Sequence, residues 1–264
     1  MSRRTGLPAT AAVAYVDGPG GHRLCYRDHG GPGPVLLALH GHFSDGRTFA
    51  PLARALAGRW RVIALDQRGH GRSDRADDYS RRGYVDDAAA VLRHLGLTDV
   101  VVLGHSLGGV NAYQLAARQP RLVRALVVVD IGAAPDGDLS FCRDWPRRAP
   151  TRAALLRELG ASAPYVSGAV RAYADGWGLA FHPADVIASQ QALNGDHWAD
   201  WLGSDCPALL VRGRRSRVLG AGQAREMARR RARVRLVELD TGHTVHETGP
   251  EAFARAVDAF LAGL

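Results

Sequence analysis

The chain has 264 residues, 46% of them hydrophobic, which suffices for one sizeable core and makes a single domain with an insertion the expectation. Its formal charge is +8, yet every basic residue is arginine, and the densest group (Arg225, Arg229, Arg230, Arg231, Arg233, Arg235) has no interleaved aromatic residue for base stacking. It reads as a solvated face, with an anion-binding patch as the alternative, and not as a nucleic-acid site.

Three cysteines, Cys25, Cys142 and Cys206, argue against a disulfide framework and fit a reducing compartment. No run approaches the roughly 20 apolar residues that a bilayer span needs. The short apolar stretch at residues 11–16 follows Pro8 and runs into a polar segment, unlike an export signal, so a soluble, cytoplasmic protein with no membrane partner is expected.

In chain order, polar segments at residues 12–16 and 23–27 predict an antiparallel hairpin at a sheet edge. Runs of Val, Leu and Ile at 35–39, 62–66, 100–103 and 125–130 predict strands, and stretches at 48–57, 84–95 and 107–118 predict helices between them. The alternation resumes with strands at 208–211 and 234–239 and helices at 222–231 and 250–261. Such an order predicts βαβ units and an α/β fold, a mostly parallel twisted sheet of about eight strands flanked by helices. Residues 133–205 break the rhythm, being rich in Pro, Gly and aromatic residues, and read as a cap inserted into a core made of 1–132 and 206–264.

The motif with chemistry is Gly104-His105-Ser106-Leu107-Gly108-Gly109. A bare G-x-S-x-G match is weak evidence, but here the apolar strand 100–103 leads in and an Ala-rich helix leads out. A sharp strand-to-helix turn, sterically possible because Gly104 and Gly108 are small, holds Ser106 in a strained conformation and projects its hydroxyl above the sheet. The helix amino terminus directs the Leu107 amide to the same place, where it would stabilise an oxyanion. A serine hydroxyl needs a base, usually a histidine, and His243 follows the last predicted strand in Asp240-Thr241-Gly242-His243, with His246 as a rival.

These motifs, with His40-Gly41-His42 after the strand at 35–39 and the run from Asp66 through Gly69, Gly71 and Ser73 to Asp74, resemble the α/β-hydrolase superfamily. The likeness is to its small serine esterase, lactonase, haloperoxidase-like and dehalogenase-like members, and covers nearly the whole chain outside the insertion. It implies that the His42 amide is the second oxyanion donor, that the Asp66 run is architectural, and that Gly242-His243 delivers the base.

The resemblance also implies an acid to orient His243, commonly a few residues after the strand at 208–211, but that loop reads Gly213-Arg214-Arg215-Ser216-Arg217 and has no carboxylate. Asp205 is at the wrong end of the strand and Glu226 lies well into the next helix. The remaining candidate is Asp130, at the end of the strand beside the nucleophile, where dehalogenase-like members also carry their acid. A carboxylate introduced at Ser216 would stand near the commoner position.

Eight aromatic residues fall in the insertion: Phe141, Trp145, Tyr165, Tyr173, Trp177, Phe181, Trp198 and Trp201. As a group they favour a hydrophobic or aromatic small-molecule substrate, with Phe43, Trp145, Trp177 and Trp198 as the lining candidates. Arg143, Arg147, Arg148 and Arg152 offer the alternative of meeting a carboxylate. No metal-ligand spacing is present, and no cofactor is expected.

The leading expectation is hydrolysis of a small carboxylic ester or lactone through an acyl-enzyme. C–C bond hydrolysis, perhydrolysis or acyl transfer with the same residues, and a non-catalytic ligand-binding relative, remain as alternatives. Serine at the elbow excludes the dehalogenases and epoxide hydrolases of the superfamily, which need an aspartate there.

Overall fold

A computed structural model describes residues 11–264; the first ten residues of the expected core lie outside the described region. The chain opens with β1 (Ala12–Asp17), β2 (Arg23–Asp28) and β3 (Val35–Leu39), followed by α1 (Ala50–Ala55), β4 (Arg61–Asp66), α2 (Arg81–His94), β5 (Val100–His105), α3 (Leu107–Arg118) and β6 (Val123–Val129). After the insertion come β9 (Ala208–Gly213), α8 (Ala221–Arg230), β10 (Val234–Leu239), α9 (Val245–Thr248) and α10 (Pro250–Leu261). The eight-stranded sheet has the order β1-β2-β4-β3-β5-β6-β9-β10. Only the β1–β2 and β2–β4 pairings are antiparallel, as the edge hairpin predicts, and the rest are parallel.

The central strands read as unbroken apolar runs because both faces of the sheet are covered. Leu37, Val102, Val128 and Leu210 face one layer, built with Tyr84, Tyr113 and Met227, while Leu36, Val101, Val127 and Leu209 face the other, with Phe49, Phe253 and Val257. The helix expected at 48–57 is a 3₁₀ turn at Gly46–Phe49 followed by α1, which has a proline in its first turn. The helix expected from 84 starts a turn earlier, because Ser80 accepts the Gly83 amide through its side chain at 3.2 Å and caps it.

Between β6 and β9 the chain leaves the sheet. It forms α4 (Arg152–Leu159), α5 (Ala163–Val166), the antiparallel pair β7 (Val170–Tyr173) and β8 (Gly176–Leu179), and α6 (Pro183–Leu193). These pack a separate apolar cluster that includes Cys142, Leu155, Val166, Leu179 and Val186. The segment then rejoins the main core through α7 (Trp198–Leu202). Trp201 is fully buried there, donating its indole N–H to the Met227 carbonyl at 3.1 Å and meeting the Tyr113 ring edge-on.

Arg231 corrects the solvated reading of the arginine-rich run. It is 5% exposed, and its guanidinium donates to the carbonyls of Trp201 and Cys206, which would otherwise be left unpaired at the end of α7 and after it. No helix among the described residues is long and apolar enough to cross a membrane.

The Asp66 run stitches the sheet edge. The fully buried Asp66 carboxylate accepts from the Gly46 amide at 2.7 Å, the Arg72 amide at 2.9 Å and the Arg27 guanidinium at 3.1 Å, and Ser73 donates to the Asp66 carbonyl. Asp66→Ala leaves Arg27 buried without its anion, so unfolding stability is expected to fall by about 3–5 kcal/mol. Urea denaturation measures this, and a loss below about 1 kcal/mol would mean that water replaces the carboxylate.

Candidate active site

Ser106 sits between β5 and α3 at φ 53° and ψ −119°, a region that non-glycine residues rarely occupy. The turn is held by hydrogen bonds from the Ser106 amide to the Val129 carbonyl (3.0 Å) and from the Gly109 amide to the Ser106 carbonyl (2.8 Å). Close packing requires the flanking glycines: a side-chain carbon at Gly104 would lie 2.0 Å from the Gly108 oxygen. One at Gly41 would lie 3.1 Å from the Ser106 Cβ and 2.7 Å from His105 Nδ1, so the His40-Gly41-His42 loop lies directly against the elbow. Leu107 is the first residue of α3, where the amide has no acceptor within the helix.

The His40 loop is fixed from below. Its Nδ1–H donates to the Gly41 carbonyl (2.7 Å) and its Nε2 accepts the Gln67 amide (2.9 Å). Gln67 in turn donates to the His40 carbonyl and accepts from Asn111 of α3, both at 2.6 Å. Sequence reasoning had no reason to single out Gln67 or Asn111, since neither stands in a motif with a chemical role.

Asp130 follows β6 at φ 53° and is fully buried. The parallel pairing of β6 with β9 places it against the end of that strand: its amide donates to the Val211 carbonyl, and its Oδ1 accepts from the Gly213 amide, each at 2.8 Å. Its Oδ2 accepts the Ser216 hydroxyl and, at 2.7 Å, the Nδ1–H of His243. The loop that carries no carboxylate therefore supplies hydrogen bonds to one on the neighbouring strand. A carboxylate introduced at Ser216 would confront Asp130, so the expectation for that position holds only where Asp130 is itself neutralised.

The His243 side chain is 31% exposed, and its backbone carbonyl accepts from His105 Nε2 at 3.0 Å. With Nδ1 holding a proton for Asp130, Nε2 is free to accept one. Among the described residues the Ser106 hydroxyl has no hydrogen-bond partner; the fold joins Asp130 to His243 and brings the loop of His243 onto His105, the residue before the serine. His246, the rival, is buried, hydrogen-bonded through Nε2 to the Thr48 hydroxyl at 2.8 Å and stacked on Phe49.

The lining candidates divide. Phe43, at φ 63°, meets the rings of Trp145 and Phe181 at centroid distances of 5.2 and 5.3 Å and Phe141 at 6.0 Å. A cleft of about 380 Å³ opens beside Phe43, lined also by His42, His105, Tyr165 and Thr244 among others. Trp177 is held in the β-hairpin, where its backbone bridges Ala149. Trp198 lies apart, on the main core with the Arg230 guanidinium 4.0 Å above its ring, because α7 has returned to α3 by that point. Arg148 is likewise committed, to Asp175 and the Tyr173 ring.

Two further residues, unsignalled by the sequence, reach the site: Ser189 of α6 is hydrogen-bonded to His42 Nε2 at 2.9 Å and to the Tyr84 hydroxyl at 2.8 Å. The buried thiols Cys25 and Cys142 are raised by burial to about 12 and about 11, which keeps them protonated and inert. Among the described residues no group of three or more potential metal ligands gathers.

The model of the alpha/beta hydrolase family matches residues 35–256 of this sequence. The chain belongs to the α/β-hydrolase family. Among its relatives is 2-(acetamidomethylene)succinate hydrolase of Mesorhizobium japonicum, 31% identical over 88% of this chain and 89% of that protein. A putative carbamate hydrolase of Caulobacter sp. is 31% identical over 91% of this chain and 96% of its own length. The solved structure of E-2-(acetamidomethylene)succinate hydrolase superposes with a TM-score of 0.86 at 27% identity, covering 96% of this chain and 99% of that one. An α/β-hydrolase from Novosphingobium aromaticivorans gives 0.81 at 28%, covering 97% and 100%. Relatives across the family are named as hydrolases, and this chain is an α/β-hydrolase enzyme.

Around the elbow of this α/β-hydrolase five imidazoles, those of His40, His42, His70, His105 and His246, are held neutral. Burial pushes His70 and His246 down to about 3, lowers His40, and holds His42 and His105 well below the ordinary histidine value of 6.5. In the unfolded chain the same rings take up protons below about pH 6.5, so between pH 6.5 and 3 the unfolded state binds more protons and stability falls with falling pH. Each such ring adds a slope of up to about 1.4 kcal/mol per pH unit. His70→Asn is expected to flatten the fall of the unfolding free energy between pH 6 and 4 by roughly that amount. An unchanged slope in urea titrations would remove His70 from the account.

Proposed function

We propose that the protein hydrolyses an acyl bond of a small molecule through a covalent acyl-enzyme, with Ser106 as nucleophile, His243 as general base and acid, and Asp130 as its orienting carboxylate. The observation that carries this reading is the hydrogen bond from His243 Nδ1 to a buried carboxylate, set beside a serine in a strained strand-to-helix turn. His243 Nε2 takes the Ser106 proton as Oγ attacks the acyl carbon. The amides of Leu107 and His42 receive the resulting oxyanion. The tetrahedral species expels the leaving group, which takes the proton from His243, and the acyl group stays on Oγ. A water then attacks, giving its proton to Nε2, and the acid departs as Oγ recovers that proton.

The aromatic grouping of Phe43, Phe141, Trp145 and Phe181 supports an apolar wall for the substrate, with the inserted segment as its cap. A small carboxylic ester or lactone is the first substrate class. A second reading, cleavage of an acyl C–N bond in an amide or carbamate, is favoured by the names of the two near full-length relatives. Both use the same residues and differ in the leaving group that His243 must protonate.

A fluorophosphonate probe should label Ser106 in the wild type and not in Ser106→Ala, and that variant should lose at least 10³-fold in turnover of any accepted ester or amide while melting as the wild type does. Labelling that survives the substitution would displace Ser106 from its role. Asp130→Asn presents an amide in place of the acceptor, and satisfying its NH₂ at Nδ1 forces the proton of His243 onto Nε2, facing the serine. Its kcat should fall by roughly 10²–10⁴ fold with the fold retained by circular dichroism. Near-full activity would assign the orientation of His243 to another group.

A further inference from the structure

Arg81, the first residue of α2, is half-buried, and its guanidinium is held differently from those of the buried arginines. Arg27 and Arg68 meet the carboxylates of Asp66 and Asp87, Arg212 meets Glu238 and the Leu219 carbonyl, and Arg231 meets backbone carbonyls. Arg81 donates only from Nε, to the Gln114 side-chain oxygen at 3.3 Å. Both of its terminal nitrogens are out of contact with solvent and, among the described residues, have no hydrogen-bond partner.

Its surroundings hold no carboxylate in ion-pair contact with it among the described residues. The guanidinium carbon lies 5.1 Å from the Tyr84 ring centroid, and the neighbouring carboxylate, Asp200, already accepts from Gln114 at 2.7 Å and lies 3.8 Å from Arg118. Burial pushes Arg81 down to about 10, which still leaves it charged at neutral pH. An unpaired buried cation costs folding stability, and such groups are normally paired or placed to meet a ligand.

Arg81 is also joined to the site. The Tyr84 hydroxyl shares a hydrogen bond with Ser189, and Ser189 with the imidazole of His42, whose amide is the proposed oxyanion donor. The charge of Arg81 is near enough to contribute, after burial and His70, to keeping that imidazole neutral.

We infer that the Arg81 guanidinium is the counter-ion for a carboxylate carried by the substrate, so that the site takes a small acyl compound with an apolar body and one free carboxylate. This rests on the hydrolase reading of the Ser106 site. Two unpartnered, coplanar N–H-bearing nitrogens match the two oxygens of a carboxylate. A single cation balances one negative charge, which favours a carboxylate over a phosphate dianion.

The test measures binding and needs no turnover. Calorimetric titration of the full chain with 4-phenylbutanoate, its neutral amide 4-phenylbutanamide, and inorganic phosphate reads the subsite directly. The acid should bind at least tenfold more tightly than the amide, and phosphate more weakly than the acid. Arg81→Gln should remove that preference, weakening the acid tenfold or more and the amide by less than twofold, and Arg81→Lys should restore part of it. Without ligand, Arg81→Gln should melt no lower than the wild type, since it removes an uncompensated charge; a purely structural arginine would give a marked fall. Equal binding of acid and amide, no binding of the acid, tighter binding of phosphate, or an undiminished preference in a folded Arg81→Gln would each overturn the assignment. Fluorophosphonate labelling of Ser106 in the ligand-free wild type reads the hydrolase proposal by itself, so failure of the subsite is distinguishable from failure of the hydrolase reading.

Discussion

A carboxylate with no access to water must find its hydrogen bonds in the protein, and Asp130 finds them in two separate stretches of chain. The Gly213 amide and the Ser216 hydroxyl come from the turn that ends β9, and the His243 ring from the loop after β10. Because leaving such a group unpaired is costly, the two stretches are obliged to converge on one point at the carboxyl edge of the sheet. The position of the His243 ring follows from that convergence. His105 adds a second tie, from the turn that carries Ser106 to the His243 carbonyl, so that His243 is located through its backbone as well as through Asp130.

Under this arrangement lies a layer of neutral imidazoles and amides. His40, Gln67 and Asn111 link the loop bearing His42 to β4 and α3 through hydrogen bonds whose donors and acceptors are all uncharged. A neutral scaffold leaves the field at the elbow to be set by the few charged groups near it. Among them are Asp130, paired with its histidine, and Arg81, whose terminal nitrogens have no partner among the described residues. The proposed chemistry and the proposed carboxylate subsite thus draw on opposite ends of one polar path running from the elbow through His42, Ser189 and Tyr84 to α2.

The segment between β6 and β9 divides its apolar residues between two tasks. Cys142, Leu155, Val166 and Val186 make a core of their own, and Phe181 and Trp145 extend it to Phe43 beside the site. Trp201 and Trp198, equally aromatic and close in sequence, turn back to the main core. A count of aromatic residues treats all of them alike, since nothing in composition records where α7 docks again on α3. The same limit explains Arg231: within an arginine-rich run of high polarity, only the need of the Trp201 and Cys206 carbonyls for a donor distinguishes the buried member from its solvated neighbours.

The sequence by itself determined the order of the strands along the chain, the two-sided burial of the central ones, the edge hairpin and the serine-bearing turn, because each follows from local hydrophobic period or from glycines whose absence of a side chain is a local fact. It also pointed to Asp130 and His243, by elimination and by position after a strand, without any way to measure whether they meet. Only the tertiary structure decided that they are 2.7 Å apart, that the Ser216 hydroxyl donates to Asp130, and that His246 is walled in against Phe49. It alone brought Ser189 and Tyr84 to His42 and left the terminal nitrogens of Arg81 buried without a partner among the described residues. The physical reason is the range of the interactions: propensity and periodicity act over a few residues, whereas a hydrogen bond between residues 113 positions apart exists only once the sheet has closed between them.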